Sequence, residues 1–120
     1  MGYSIQALCA PLGVFPSSLP EDLELIDLGG SMEMIPLGTT VQERYEIPFL
    51  PLTDDGAMEI PATLLSLWLQ LGVDGDIAYI EAEIFGGQGT QAYVMFERSG
   101  CVSNPVVRAD AINTALRCWA

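Results

Sequence analysis

The chain has 120 residues, with sixteen acidic side chains against four arginines, no lysine and no histidine, for a formal net charge of −12. That length predicts a single domain over residues 1–120, able to bury a core without disulfide or metal staples. The charge argues against ordinary nucleic-acid or anionic-membrane binding, and the missing histidine excludes the common serine and cysteine triads.

Tyr3 to Ala10 alternates as a first strand, stopped by Pro11 and Gly13 and expected in the centre of a sheet or beside its main hairpin. Leu23 to Leu28 and Met32 to Leu37 read as a second hairpin around Gly29-Gly30-Ser31, with Pro36 marking a strand that ends there or lies at an edge. Thr39 or Thr40 is a suitable N-cap for a short helix through Tyr45, halted before Pro48. Ile47 to Ile60, with two prolines and Thr53-Asp54-Asp55-Gly56, predicts a mobile loop. Pro61 opens a helix whose apolar stripe of Leu64, Leu65, Trp68, Leu69 and Leu71 predicts burial around most of its circumference up to Gly72. Cys101 to Val107 predicts a short strand, and Asp110 onward a last helix with Ala111, Ile112, Ala115, Leu116 and Trp119 at helical spacing.

The organising stretch is Ile77 to Arg98, two alternating runs around Gly86-Gly87-Gln88-Gly89. The pattern assigns Ala78, Ile80, Ala82 and Ile84, with Ala92, Val94 and Phe96, to the core. Keeping those faces together predicts a bulged hairpin loop of odd length, three or five residues. The other face then carries Tyr79, Glu81, Glu83, Phe85, Tyr93 and Met95. Carboxylates interleaved with aromatics form the candidate binding surface: Glu81, Glu83, Phe85, Gln88 and Tyr93. The plainer reading is that a helix or second subunit covers the aromatics while the glutamates sit at the rim.

Other constellations carry less. The glycine loop leads into a strand and the chain has no lysine, so it is a turn and not a phosphate loop. Asp74-Gly75-Asp76 misses calcium-loop spacing, and no metal site or cofactor is expected. No catalytic residue is assigned. Glu81 and Glu83, about 7 Å apart along a strand, are the one pair compatible with two-carboxylate chemistry. Cys9, Cys101 and Cys118, without CxxC spacing, read as reduced structural thiols of a cytoplasmic protein, and no export signal or membrane span is legible. A positive mean hydropathy beside the large charge, and three of the four arginines after residue 97, predict a homodimer.

YSIQAL at the start, LIDLG followed by MIPL, the hairpin AYIEAEIFGGQGTQA and the ending DAINTALR make the chain similar to a family of small, uncharacterised bacterial cytoplasmic proteins. That resemblance implies one intact domain and carries over no catalytic residue. In general character the chain also resembles immunity proteins of bacterial toxin systems and proteins carried on mobile gene cassettes. The expectation is an α+β fold, a mostly antiparallel sheet of five or six strands with two or three helices packed on one face. The function expected is a non-enzymatic acidic binding protein, an immunity-type inhibitor of a basic protein. The alternatives are a small hydrolase or ligand-binding enzyme using Glu81 and Glu83, and a homo-oligomeric module with no other ligand.

Overall fold

The computed structural model describes residues 3–16, 18–20, 22–53, 59–73, 75–85, 88–108 and 111, without the side chains of Tyr3, Ile84, Phe85 and Gln88. Its elements in chain order are β1 (Tyr3–Pro11), β2 (Ile26–Gly29), β3 (Met32–Pro36), α1 (Thr39–Tyr45), α2 (Ala62–Leu71), β4 (Ile77–Phe85), β5 (Gln88–Phe96) and β6 (Val106–Arg108). The strands form one antiparallel sheet in the order β2-β3-β1-β4-β5-β6, an open α+β arrangement. No helix among the described residues is long and apolar enough to cross a membrane.

β1 lies between β3 and β4, as its alternating apolar pattern predicts. Its even-numbered positions, Leu8 and Ala10, join Ile35, Ile77, Tyr79, Ala92, Val94 and Phe96 in the larger core cluster. Val41 of α1 and Leu64, Leu67 and Leu71 of α2 pack into the same cluster, so both helices cover one sheet face. Trp68 tilts over Phe96 with ring centroids 4.8 Å apart. The odd positions Ala7 and Cys9 join Ala78 and Ile80 in a smaller cluster on the opposite face, flanked by Met34, Tyr93 and Met95.

The central hairpin departs from its expected register. Phe85 pairs with Gln88 and Ile77 with Phe96, so only Gly86 and Gly87 connect the strands and opposed positions differ in parity. The odd-length loop is therefore overturned, and the faces are reassigned. Tyr79 and Glu81 share the main core face with Val94 and Ala92, while Ala78 and Ile80 share the opposite face with Met95 and Tyr93. The physical reason is that both sheet faces are buried: when Ile80 is 4% exposed and Tyr79 0%, alternation has no polar face to fix parity.

The smaller elements correct details. Gly38, not a threonine, is the N-cap of α1, with no side-chain cap hydrogen bond. The helix ends where Glu46 turns left-handed and Ile47 N donates to Gln42 O at 2.9 Å. α2 buries a narrower stripe than expected, Leu64, Leu67 and Leu71, and Leu69 is 74% exposed. It stops at Gly72, whose φ of 60° favours a residue without Cβ. The β2–β3 turn likewise runs through positive φ at Gly29, Gly30 and Ser31. Ala111 is helical and buried, but the rest of the expected last helix, Arg117 and Cys118 included, lies outside the described residues. So does Asp54-Asp55-Gly56 of the expected mobile loop.

Candidate functional site

Strand alternation places Gln6 of β1 opposite Glu81 of β4, both on the helix-covered face. Gln6 is 4% exposed and Glu81 0%; they are the buried polar side chains of the described sheet. A carboxylate there needs internal donors, because burying an unpaired charge costs several kcal/mol. The segment after α1 supplies them. Leu52 N reaches the two carboxylate oxygens at 3.2 and 3.1 Å, Thr53 N reaches Oε1 at 2.9 Å and Thr53 Oγ1 reaches Oε1 at 3.0 Å. The Tyr79 hydroxyl donates to Oε2 at 2.6 Å.

These donors are neutral, and each points inward at the carboxylate, which fixes Glu81 as the acceptor of the cluster. Burial, then the charge of Glu81 and the hydrogen bond to it, raise the Tyr79 phenol well above the usual tyrosine range; donation from Gln6 opposes this weakly. Tyr79 therefore keeps its proton and serves as a donor. Leu50 and Leu52, 0% and 2% exposed, anchor the same segment in the core. The first half of the expected mobile loop is thus a fixed strap, held through Glu81.

The network continues outward. Gln6 Nε2 donates to Tyr79 Oη at 3.0 Å and to Pro48 O at 3.0 Å. Gln42 Nε2, on α1, donates to Gln6 Oε1 at 3.0 Å and to Leu37 O at 2.8 Å. Both amide orientations are fixed by backbone carbonyls, which accept only. The donors therefore run in one direction, from Gln42 to Gln6 to Tyr79 to Glu81.

The five candidate residues are not brought together. Glu81 is sealed under the strap, and Glu83 follows it two positions along the same face, half-buried, opposite Ser4 and Thr90. Tyr93 is on the other face, cross-strand from Ile80. Phe85 and Gln88 pair at the hairpin end, and their side chains lie outside the described residues. Glu81 has no exposed surface for a substrate, so paired-carboxylate chemistry with Glu83 has no access route here. The residues missed by pattern are Gln6, Gln42 and Thr53. A lone glutamine in an otherwise apolar strand, YSIQALCA, was the available signal for the first.

The other reactive groups are quiet. Cys9 is buried, and burial pushes its thiol up to about 11, so it stays a thiol. Cys101 is free and exposed. Among the described residues no group of three or more His, Cys, Asp or Glu side chains could hold a metal ion.

Exposed carboxylates lie elsewhere, two of them at the sheet edge. All of β2 is exposed and forms one edge of the sheet. Leu25, Ile26 and Leu28, 38%, 39% and 47% exposed, lie just before and along this strand among Glu24 and Asp27. Asp27 stands directly across from Glu33, a like-charge pair, and Asp27 Oδ1 accepts from Gly29 N at 2.7 Å. Asp22 pairs with Arg44 at the outer side of α1. No protein-family model, curated protein or solved structure matches the chain.

Proposed function

We propose that the chain is a non-enzymatic acidic binding protein of the immunity type, an inhibitor whose partner is a basic protein. The observation that carries this reading is the β2 edge and the two residues before it, where Leu25, Ile26 and Leu28 are exposed among Glu24 and Asp27. An open edge offers unpaired backbone groups to an added strand, and the side chains beside it select that strand. Apolar residues interspersed with carboxylates select an extended segment that carries both apolar and basic residues. The net charge of −12 adds long-range steering and a fast on-rate.

Pairing of the edge with a second copy is disfavoured by the same charges, since it would bring the Glu24 and Asp27 carboxylates of both copies together. A homodimer, if formed, would use another surface. The enzyme reading loses support because Glu81 is committed to four donor groups and has no exposed surface. Free thiols at Cys9 and Cys101 favour the cytoplasm as its compartment.

The test uses a blocked hexapeptide of alternating arginine and valine as the probe. Titration calorimetry compares Glu24→Lys/Asp27→Lys with Glu59→Lys/Glu97→Lys, which changes net charge equally. Glu97 directly follows β5, which lies four strand steps from β2, about 19 Å away. The β2 variant should lose about tenfold or more in affinity and the control less than about threefold, as expected for close against distant charges. Equal losses would reduce the interaction to the general field of the protein and overturn the edge as the site.

A further inference from the structure

The one-way hydrogen-bond chain from Gln42 to Glu81 has an open end. Gln42 Nε2 is held by Gln6 Oε1 and Leu37 O, so its amide orientation is fixed, and its Oε1 receives none of the described hydrogen bonds. Gln42 lines a pocket of about 230 Å³ with Ser4, Gln6, Leu37, Thr39 and Phe49. Phe49 is 54% exposed, a large apolar ring left to solvent on the strap that Glu81 holds.

Three properties of this pocket define what it takes. Its outermost carboxamide offers an acceptor, and the chain behind it ends on a buried anion, so polarisation along aligned hydrogen bonds enriches that acceptor. Among the described residues its lining carries no charge, so an anion would meet neither a cation nor a free side-chain amide donor there. Its volume is below the range usual for drug-sized ligands, which suits a single side chain. An exposed aromatic ring beside an acceptor, on a protein of net charge −12, matches a planar cation that donates N–H bonds while lying against the ring.

We propose that the pocket between β1, α1 and Phe49 is an arginine-binding site, which receives one guanidinium of the basic partner. The guanidinium donates to Gln42 Oε1 and stacks on Phe49, while its methylene stem contacts Leu37. Lysine suits the site less well, because an ammonium lacks the flat face that stacks on a ring. This inference rests on the partner being basic, but the pocket and the β2 edge are separate surfaces and can fail separately.

The probe is butylguanidinium, titrated into isotopically labelled protein and followed by NMR at the Gln42 side-chain amide and the Phe49 ring. Butylammonium and neutral butylurea, each at the same ionic strength, are the comparisons. Butylguanidinium should saturate both signals with a Kd in the millimolar range, about what one small fragment reaches, and bind more tightly than either comparison probe. Phe49→Ala should weaken binding about two- to fivefold, the share of an exposed cation–π contact, with the fold intact because the ring packs outward. Phe49→Trp should restore it. Glu24→Lys/Asp27→Lys should leave probe binding within about twofold, which separates this site from the edge.

Shifts confined to exposed carboxylates and abolished by salt would show counter-ion association alone and overturn the site. So would equal binding of butylurea, or no change at Gln42 at the highest probe concentration. Loss of hexapeptide binding in the β2 variant with butylguanidinium binding retained would uphold both surfaces. Retained hexapeptide binding in that variant would overturn the edge and leave the pocket standing.

Discussion

Glu81 and Asp27 are both strand carboxylates, but the central strands and the edge strand use them in opposite ways. Glu81, on β4, is fully buried and accepts from two backbone amides, a threonine hydroxyl and a tyrosine. Asp27, on β2, is exposed, faces Glu33 across the ladder and has one local bond to Gly29 N. In the interior a charge must be matched by donors, so it becomes a fastener for a loop. At the edge water solvates it, so it stays available to a partner. Acid content alone therefore says little about function; the donors each carboxylate has consumed say more.

Removing the interior charge should have the largest effect. Glu81→Ala leaves Leu52 N, Thr53 N and the Tyr79 hydroxyl without their acceptor and opens a void, an expected loss of about 3–5 kcal/mol in chemical denaturation. Glu81→Lys should not fold, since it aims an ammonium at donor groups. Glu24→Lys at the edge should change the denaturation midpoint little. If Glu81→Lys melted like the parent protein, the contrast between the two regions would collapse.

The second effect is alkaline. Cys9 loses its proton near 9.0 when unfolded but only at about 11 in the fold, because burial disfavours the thiolate. Between those values the folded state holds more protons than the unfolded one. The stabilisation is therefore complete below pH 9 and is lost as pH rises through 11, up to about 3 kcal/mol. Tyr79, raised for the same main reason, acts in the same direction. Cys9→Ala should flatten part of the alkaline fall measured by denaturation at fixed pH steps. Site-resolved alkylation at pH 8 should modify exposed Cys101 and spare Cys9 until denaturant is added.

What was legible before the structure follows the same division. The strands of β1, β3, β4 and β5 could be read because their residues alternate between turn residues, and α2 because Leu64, Leu65, Trp68, Leu69 and Leu71 form an apolar stripe with Pro61 before it and Gly72 after, of which the fold buries Leu64 and Leu71 and adds Leu67. The hairpin parity could not be read, since Tyr79 and Ile80 are both core residues and either choice buries apolar surface. The candidate face failed with it, pairing Tyr93 with Glu81 when a sheet lies between them. Glu81 looked like a surface acid because its donors come from Leu52 and Thr53, 28 or more residues earlier, and backbone amides leave no trace in composition. Gln6 and Gln42 are bonded across 36 residues, a separation that local pattern does not register.

A smaller effect tests the interior network without removing its charge. Tyr79→Phe takes one donor from Glu81 and leaves Gln6 Nε2 with Pro48 O alone. Since hydrogen bonds to charged groups contribute about 1.5–3 kcal/mol, the denaturation midpoint should fall accordingly. The Gln42 amide signal should move as well, because the chain that reaches it has been cut. A drop in stability with an unmoved Gln42 signal would mean that the strap and the pocket are independent.

The smallest effect belongs to the edge and has the opposite sign. Asp27→Asn keeps a side-chain oxygen where Gly29 N can still donate, and it removes the like charge facing Glu33. Cross-strand like-charge pairs are destabilising by under about 1 kcal/mol, so the variant should be slightly more stable, and the gain should shrink in salt. Affinity for the arginine–valine hexapeptide should fall at the same time, because the removed charge is one of the two acids flanking the exposed apolar residues of β2. A residue whose neutralisation raises stability while lowering binding is kept at the expense of the fold. If Asp27→Asn instead left hexapeptide affinity unchanged, Asp27 would act only as the turn acceptor for Gly29, and selection of a basic strand would rest on Glu24 alone.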